Sequence, residues 1–414
     1  MTRPPERGVR PDPDGRGAGR RATDVPVRPV VVLLGLLALA ANLRAALAGY
    51  PPLLETVRAE QGISAGLAGL VQAGSVLMMA AGSFAGARIG LRFGREVALG
   101  VAVGLVGLGS AVRGWPALAP LVGGSMLLGF GIGVAGVLLT GVVKEHLAER
   151  AGAATGGYVV AMMIGATVSS AVAVPLAVVL GGWSLSLAVW AVPAVLAVAV
   201  WTPVARRIIR TGGPTIPPAA TAGPVHRDRF ARLCACYQAG TSVMFYGWLT
   251  WLSPYYESLG WTAQDAGFLL AAWSVAQLPA ALLVPALAER RRRWRFWAGL
   301  TLSCGVAGTL GALLVPTPAV IGPWVWVTLI AIGLGAGFPM GLAVIAWRTP
   351  DGAASAATSG FALGVGYTAA GLAPLLMGLL IDVTADYRAA IGVLLVAAAL
   401  QAFAIVRIGD RPAA

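Results

Sequence analysis

Arg44 lies in "ALAANLRAALAGYPPLL" (residues 38–54), a run that is otherwise free of charge. An arginine near the middle of an apolar membrane helix costs about 2.5–3.5 kcal/mol on insertion scales. Facing a water-filled space largely removes that cost and leaves a fixed positive charge where a solute can sit. The planar fork of donors on a guanidinium suits small anions such as carboxylates. The structural alternative is an arginine paired to backbone carbonyls or snorkelling outward. Asn42 lies two residues away, on another side of a helix, and is a second candidate. Five more groups interrupt apolar stretches: Gln72, Tyr158, Tyr246, Gln277 and Tyr367. Each needs a partner, either a bound solute or a hydrogen bond to a neighbouring helix.

Other chemistry is poorly supplied. The 17 acidic residues map to loops or to the ends of apolar runs, and the two histidines, His146 and His226, fall in polar connections. An enzyme site in the membrane needs an embedded nucleophile, base or metal cluster, so neither catalysis nor a cofactor or metal is expected. Glu55 and Glu257, at the ends of the first and seventh spans, are the nearest candidates for an ion-coupling group, against an ordinary interfacial role. Cys234, Cys236 and Cys304 form no CxxC or zinc pattern and read as small apolar fillers. "GIGVAG" (131–136) matches GxGxxG but lies inside an apolar run with no strand before it, so it reads as close helix packing. No GxxxxGK[ST] sequence provides an ATP engine.

The elements that must carry these residues are membrane helices. The chain is 57% hydrophobic and 11% charged, against roughly 25% charged in soluble proteins. Twelve apolar stretches are long enough to cross a bilayer. They are separated six and six by the polar stretch "RRIIRTGGPTIPPAATAGPVHRD" (206–228). The expected organisation is a disordered cytoplasmic tail (1–28), an N-terminal six-helix bundle (29–205), a cytoplasmic linker (206–228), a C-terminal six-helix bundle (229–408) and a short tail (409–414). With both termini in the cytoplasm, 26 of the 30 Lys and Arg lie on that side, three lie outside (Arg58, Arg113 and Arg388), and Arg44 lies in the membrane. That asymmetry fits the positive-inside rule. It also accounts for the net charge of +13 without a nucleic-acid partner. Trp251 and Tyr255, near the outer end of the seventh span, are expected in the interfacial aromatic belt.

The two halves repeat. "PLLET" (52–56) pairs with "PYYES" (254–258), "GISAGLAGL" (62–70) with "GWTAQDAGF" (260–268), and "ATGGY" (154–158) with "ATSGF" (357–361), at offsets near 200 residues. A parallel repeat of six helices, with the site between the halves near the midplane, is the architecture of major facilitator transporters. The expected fold class is therefore an all-α membrane protein of the major facilitator fold, with two six-helix bundles related by a pseudo-twofold axis. Adding the 202-residue offset to Arg44 lands on Tyr246, so these two should face one cavity from opposite walls.

Three stretches carry a more specific likeness. "NLRAALAGYPPLLETVRAEQGISAGLAGL" (42–70), "YQAGTSVMFYGWLTWLSPYYESLGWTAQDAGFLL" (237–270) and "GFALGVGYTAAGLAPLLMGLLIDVT" (360–384) resemble the first, seventh and eleventh helices of the cyanate/nitroimidazole transporter family. The departures are Ala45 where that family has Pro, Gly136 and Thr140 where it has Asn and Pro, and Leu363 where it has Gln. Gly90 in "GARIGLRFGR" (86–95) replaces the loop Asp general to the superfamily. The resemblance implies a secondary active or facilitative transporter of a small polar or anionic solute, cyanate-like or similar, working by alternating access. The lost polar positions favour the alternative, an efflux transporter for drugs or toxic molecules such as nitroheterocycles. Expected partners are the small-molecule substrate and membrane lipids, with the coupling ion open and a functional monomer. The expected location is the inner (plasma) membrane.

Overall fold

A computed structural model describes residues 29–147, 151–210, 225–291, 293–350 and 352–409. The expected tail (1–28), most of the linker (211–224) and the end beyond Gly409 lie outside the described residues. The first half comprises α1 (Pro29–Ala48), α2 (Leu54–Gln61), α3 (Ala65–Phe93), α4 (Arg95–Val112), α5 (Leu118–His146), α6 (Ala151–Leu180), α7 (Trp183–Ala188) and α8 (Ala191–Arg210). The second comprises α9 (Arg229–Ser258), α10 (Ala263–Arg291), α11 (Trp294–Leu314), α12 (Trp324–Arg348), α13 (Gly352–Thr384) and α14 (Tyr387–Ile408). α2 and α7 are short. The other twelve are long enough to span a bilayer.

The first span stops earlier than its apolar run. Pro51 and Pro52 follow Tyr50, and a proline restricts the residue before it and removes an N–H donor. α1 therefore ends at Ala48, and Pro51–Leu53 form a single 3-10 turn. This leaves the last carbonyls of α1 without helical partners inside the protein, except Ala45 O, which accepts from Gly49 N–H at 3.3 Å. Side chains from other helices meet them: Ser169 Oγ donates to Ala45 O at 2.7 Å, Arg113 Nη1 to Ala46 O at 2.7 Å, and Ser170 Oγ to Ala48 O at 3.4 Å. Arg113, expected outside the membrane on a loop, is in fact 2% exposed and lies 5.9 Å from the centre of the Tyr50 ring.

α9 has 30 residues, about 45 Å of helix, yet it is too polar to be counted among the 11 helices that qualify as spans by hydropathy. Its surroundings explain the composition. Nearly every residue from 237 to 256 is buried, so little of this stretch needs to be apolar for lipid. Four of its polar side chains are paired with the helices around it, while Gln238 Nε2, Thr241 Oγ1 and Tyr256 OH are buried without a hydrogen-bond partner among the described residues. Tyr237 OH donates to Gly337 O (2.9 Å), Trp248 Nε1 to Thr309 Oγ1 (3.1 Å), Trp251 Nε1 to Pro374 O (3.2 Å) and Tyr255 OH to Ala312 O (2.6 Å). Trp251 and Tyr255 are 1% and 2% exposed. The aromatic-belt assignment is thus corrected: both face protein, because α9 is a hub of its bundle and has no lipid-facing side at that level.

The two bundles meet mainly through α3 against α13, α6 against α10, and the Pro51–Leu53 turn against α9 and α10. The α3–α13 seam is tightest near Tyr50, where Gly69 lies against the Pro374 carbonyl and Gly378 against Ala65. A Cβ at either glycine would collide with backbone. Toward the linker end, side chains separate the two helices instead: Leu77 fills the space at Gly371 and Phe84 that at Gly364. Two polar devices lock the Tyr50 end. Asp382 accepts from the N–H groups of Ala65 and Gly66, each at 2.7 Å, which places a carboxylate on the positive N-terminus of α3. Tyr387 OH donates to Glu55 Oε1 at 2.6 Å, and Arg58 holds both oxygens of Glu55 at 2.8 and 2.9 Å. The Glu55–Tyr387 bond joins one bundle to the other.

Asp382→Asn keeps the shape but replaces one acceptor oxygen by a donor. Loss of a charged helix cap is worth about 1–2 kcal/mol, so the closed population at the Tyr50 end should fall several-fold. Spin labels on Glu60→Cys and Gln264→Cys, with the three native cysteines replaced, read that separation. The distance distribution should broaden toward longer values in Asp382→Asn, and an unchanged distribution rules the lock out.

Candidate functional site

Arg44 stands in the last turns of α1, four residues before the helix ends, and is half-buried. The break at Gly49–Pro52 fixes the height of that turn, and the serine and arginine contacts to its carbonyls fix its position. Opposite, α9 presents two adjacent aromatics. The guanidinium carbon of Arg44 lies over the Phe245 ring, 4.9 Å from its centre. A cation over a ring face gains about 0.5–2 kcal/mol, more as water is removed. Arg44 makes no hydrogen bond and no ion pair with any described residue. The carbonyl-paired alternative is therefore realised by Arg113 and not by Arg44.

More rings extend from Phe245 across the second bundle. Tyr246 is edge-on to it at 5.2 Å, and Trp273 of α10 is tilted against it at 5.0 Å. Tyr367 of α13 meets Tyr246 at 6.4 Å, and Phe338 of α12 meets Tyr367 at 6.4 Å. Tyr246 OH points at the sulfur of Met79 on α3, 3.9 Å away, a contact that crosses from one bundle to the other. Both the Tyr246 and Tyr367 phenols lie within electrostatic reach of Arg44. The arrangement is one unpaired cation from the first bundle set against ring faces and edges from the second. Rings and a lone guanidinium can together hold a small anion or a polar conjugated molecule.

Among the residues singled out from sequence, Arg44, Tyr246 and Tyr367 come together here. Gln277 lies one turn beyond Trp273 and spends its amide on the Trp273 carbonyl, at 3.2 Å. Asn42 is buried and bonds back to Ala38 O at 2.8 Å, as polar side chains within helices often do. Gln72 is buried on α3 with an amide nitrogen that meets no acceptor. Tyr158 is half-buried and packs on the core of α6 and its neighbours. Sequence reasoning missed Phe245, Trp273, Phe338 and Met79. Two signals were available: Phe245 adjoins Tyr246, and Trp273 is four residues before Gln277 and so shares its helix face. Two of the three glycines of "GIGVAG" pack helices: Gly131 faces the Ala102 carbonyl on α4 and Gly133 that of Met79 on α3, while Gly136 faces open space.

Comparisons with known proteins agree with this architecture. The family model described as "Major Facilitator Superfamily" matches residues 32–346. The 2-nitroimidazole transporter of Escherichia coli is 30% identical over 86% of this chain and 90% of its own length. The cyanate transport protein CynX of the same organism is 28% identical, with 86% and 90% covered. An uncharacterized transporter of Bacillus subtilis, YycB, is 29% identical, with 89% and 90% covered. Among solved structures, a bacterial homologue of the human lysosomal transporter Spinster superposes with a TM-score of 0.74 at 15% identity, covering 93% of this chain and 99% of that one. The E. coli xylose transporter XylE gives 0.71 at 14% identity, covering 92% and 96%. The chain belongs to the major facilitator superfamily: it is a multi-pass membrane transporter that moves small solutes by alternating access between two six-helix bundles.

Proposed function

We propose that the transported solute is small and polar or anionic, and that Arg44 holds it. The observation that carries this reading is the guanidinium itself: it has a ring beneath it and no acid or carbonyl beside it. A half-buried charge with no acceptor beside it is only partly solvated, so a complementary solute gains more here than it would beside a preformed ion pair. The relatives named for cyanate and for 2-nitroimidazole are small and polar in their own substrates, which supports the class. Uptake and efflux in vesicles, measured against a panel of small anions and nitroheterocycles, test it. Transport of at least one member, lost in Arg44→Ala, is the expected result. Transport undiminished per folded molecule in that variant overturns the reading.

A second reading, export of nitroheterocycles or other toxic compounds, is favoured by the ring-rich wall of Phe245, Tyr246, Trp273, Tyr367 and Phe338. Which members of the panel move separates the two: small anions for the first reading, and outward-moving nitroheterocycles without the anions for the second.

The proposed location is the inner (plasma) membrane, with the linker end and both termini facing the cytoplasm, in a monomer surrounded by lipid. The Tyr50 end then faces outward, closed by Asp382 and Glu55. Reporter fusions after residue 220 and at the C-terminus should both read cytoplasm. An external reading from either breaks this orientation.

A further inference from the structure

Trp273 is 1% exposed, and its ring lies against the same Phe245 that floors Arg44. Its indole nitrogen is buried and meets no acceptor among the described residues. An indole N–H only donates, so no rearrangement of its own proton relieves the deficit, and a buried donor without an acceptor carries its full desolvation penalty. Four of the five other buried tryptophans satisfy their indole N–H; the fifth, Trp183, donates to no described residue but makes no ring contact with the Arg44 cluster. Trp201, Trp248, Trp251 and Trp294 give their N–H groups to Glu96 O, Thr309 Oγ1, Pro374 O and Met340 O. Trp190 and Trp297 also lack acceptors, but both are only half-buried and neither makes a ring contact with the Arg44 cluster.

Two donor side chains thus pack on one phenyl ring: the Arg44 guanidinium from α1 in the first bundle and the Trp273 indole from α10 in the second. Both are short of acceptors and neither is short of donors. We propose that the Trp273 N–H is the second anchor for the solute held by Arg44, which makes the substrate a polyatomic anion with acceptor atoms at two positions. This rests on the Arg44 reading and goes beyond it. A halide, with one centre, satisfies only Arg44 and is rejected relative to an oxyanion. An anion that spans both donors also ties the two bundles to each other. Binding then has a differential interaction with the closed arrangement, which is what a solute needs in order to shift a conformational equilibrium.

The test uses purified full-length protein and the probes cyanate, nitrate, formate and benzoate, with chloride as control at constant ionic strength. Affinities are read from ligand-dependent thermal unfolding of wild type, Arg44→Ala and Trp273→Phe. Phenylalanine keeps a ring and removes the N–H. The expected result is stabilisation of wild type by at least one polyatomic probe but not by chloride, with affinity about tenfold weaker in Trp273→Phe, as for loss of one hydrogen bond to a charged group. Equal affinity in Trp273→Phe and wild type overturns the indole anchor and leaves the Arg44 reading standing. No binding of any polyatomic probe to wild type, or undiminished binding in Arg44→Ala, overturns both. If Trp273→Phe unfolds before ligand is added, the wild-type protein labelled with 15N at its indoles replaces it. The one indole resonance absent from a Trp273→Tyr spectrum, or the one lying outside the range of the hydrogen-bonded indoles, must move downfield on saturation with the bound probe, and a stationary resonance overturns the anchor.

Discussion

Arg44→Ala is expected to insert and fold as well as wild type, or slightly better, while transport per folded molecule falls at least about 30-fold. The folding half follows from the absence of structural partners. The side chain contacts the Phe245 ring and forms no hydrogen bond or ion pair with any described residue, so its removal orphans nothing. It also removes a charge that costs about 2.5–3.5 kcal/mol at the centre of a membrane helix. The functional half follows from the lost contact to a bound anion, a charge-assisted interaction of about 2 kcal/mol or more away from bulk water. Arg44→Lys should recover only part of the loss, because an ammonium keeps the charge but lacks the planar fork. Folded protein in the membrane, by detergent extraction and size exclusion, and initial transport rates normalised to it provide the two readings. A variant that loses folded protein first, with normal transport in what remains, would identify Arg44 as structural.

Arg113→Ala is expected to do the reverse. Arg113 is buried, and its Nη1 satisfies Ala46 O at the point where α1 stops short of a complete helical turn. Truncation leaves that carbonyl unpaired and opens a void between α1, α4 and the Tyr50 ring. The combined cost is about 2–4 kcal/mol. The midpoint of thermal unfolding and the yield of monodisperse protein should both fall clearly, while transport per surviving folded molecule stays near wild type. Normal thermal stability in Arg113→Ala would refute this assignment. Together the two variants separate two arginines that look alike in composition: one holds a helix end, the other faces the seam between the bundles.

Arg58 adds a third case. Its Nη1 alone meets both oxygens of Glu55 and lies 3.5 Å from Tyr387 OH, at a closed seam and away from any ring of the central cluster. Glu257, the counterpart of Glu55 at the 202-residue offset, has one buried carboxylate oxygen without a partner and lies within electrostatic reach of Glu55. The pairing of these two acids across the pseudo-twofold axis was legible from "PLLET" and "PYYES". Which of them would find an arginine was not.

The sequence by itself determined the membrane class, the spans and six-plus-six repeat of the major facilitator fold, and it singled out Arg44 inside an apolar run. These are local or periodic quantities. Apolar run length sets the spans, charge counts set the orientation expected of them, and an internal offset reveals a duplicated bundle. The same offset set Arg44 against Tyr246, and Arg44 lies over the ring of Phe245, the neighbour of Tyr246. Only the tertiary structure decided what each polar or aromatic residue faces. Trp251 and Tyr255 have the composition of an interfacial belt, yet α9 is enclosed by α10, α12, α13 and α14, and an enclosed helix carries aromatics for packing and for pairing with backbone carbonyls. Arg113 reads as a loop charge until the chain break at Pro51–Pro52 brings bare carbonyls to it. Trp273 reads as one apolar aromatic among 13 tryptophans until its neighbours are known to offer its N–H nothing. A span's hydropathy records that the segment can cross a bilayer. Whether an indole N–H buried there finds an acceptor depends on groups 46 to 123 residues away, mostly backbone carbonyls, and that pairing is fixed only when the helices pack.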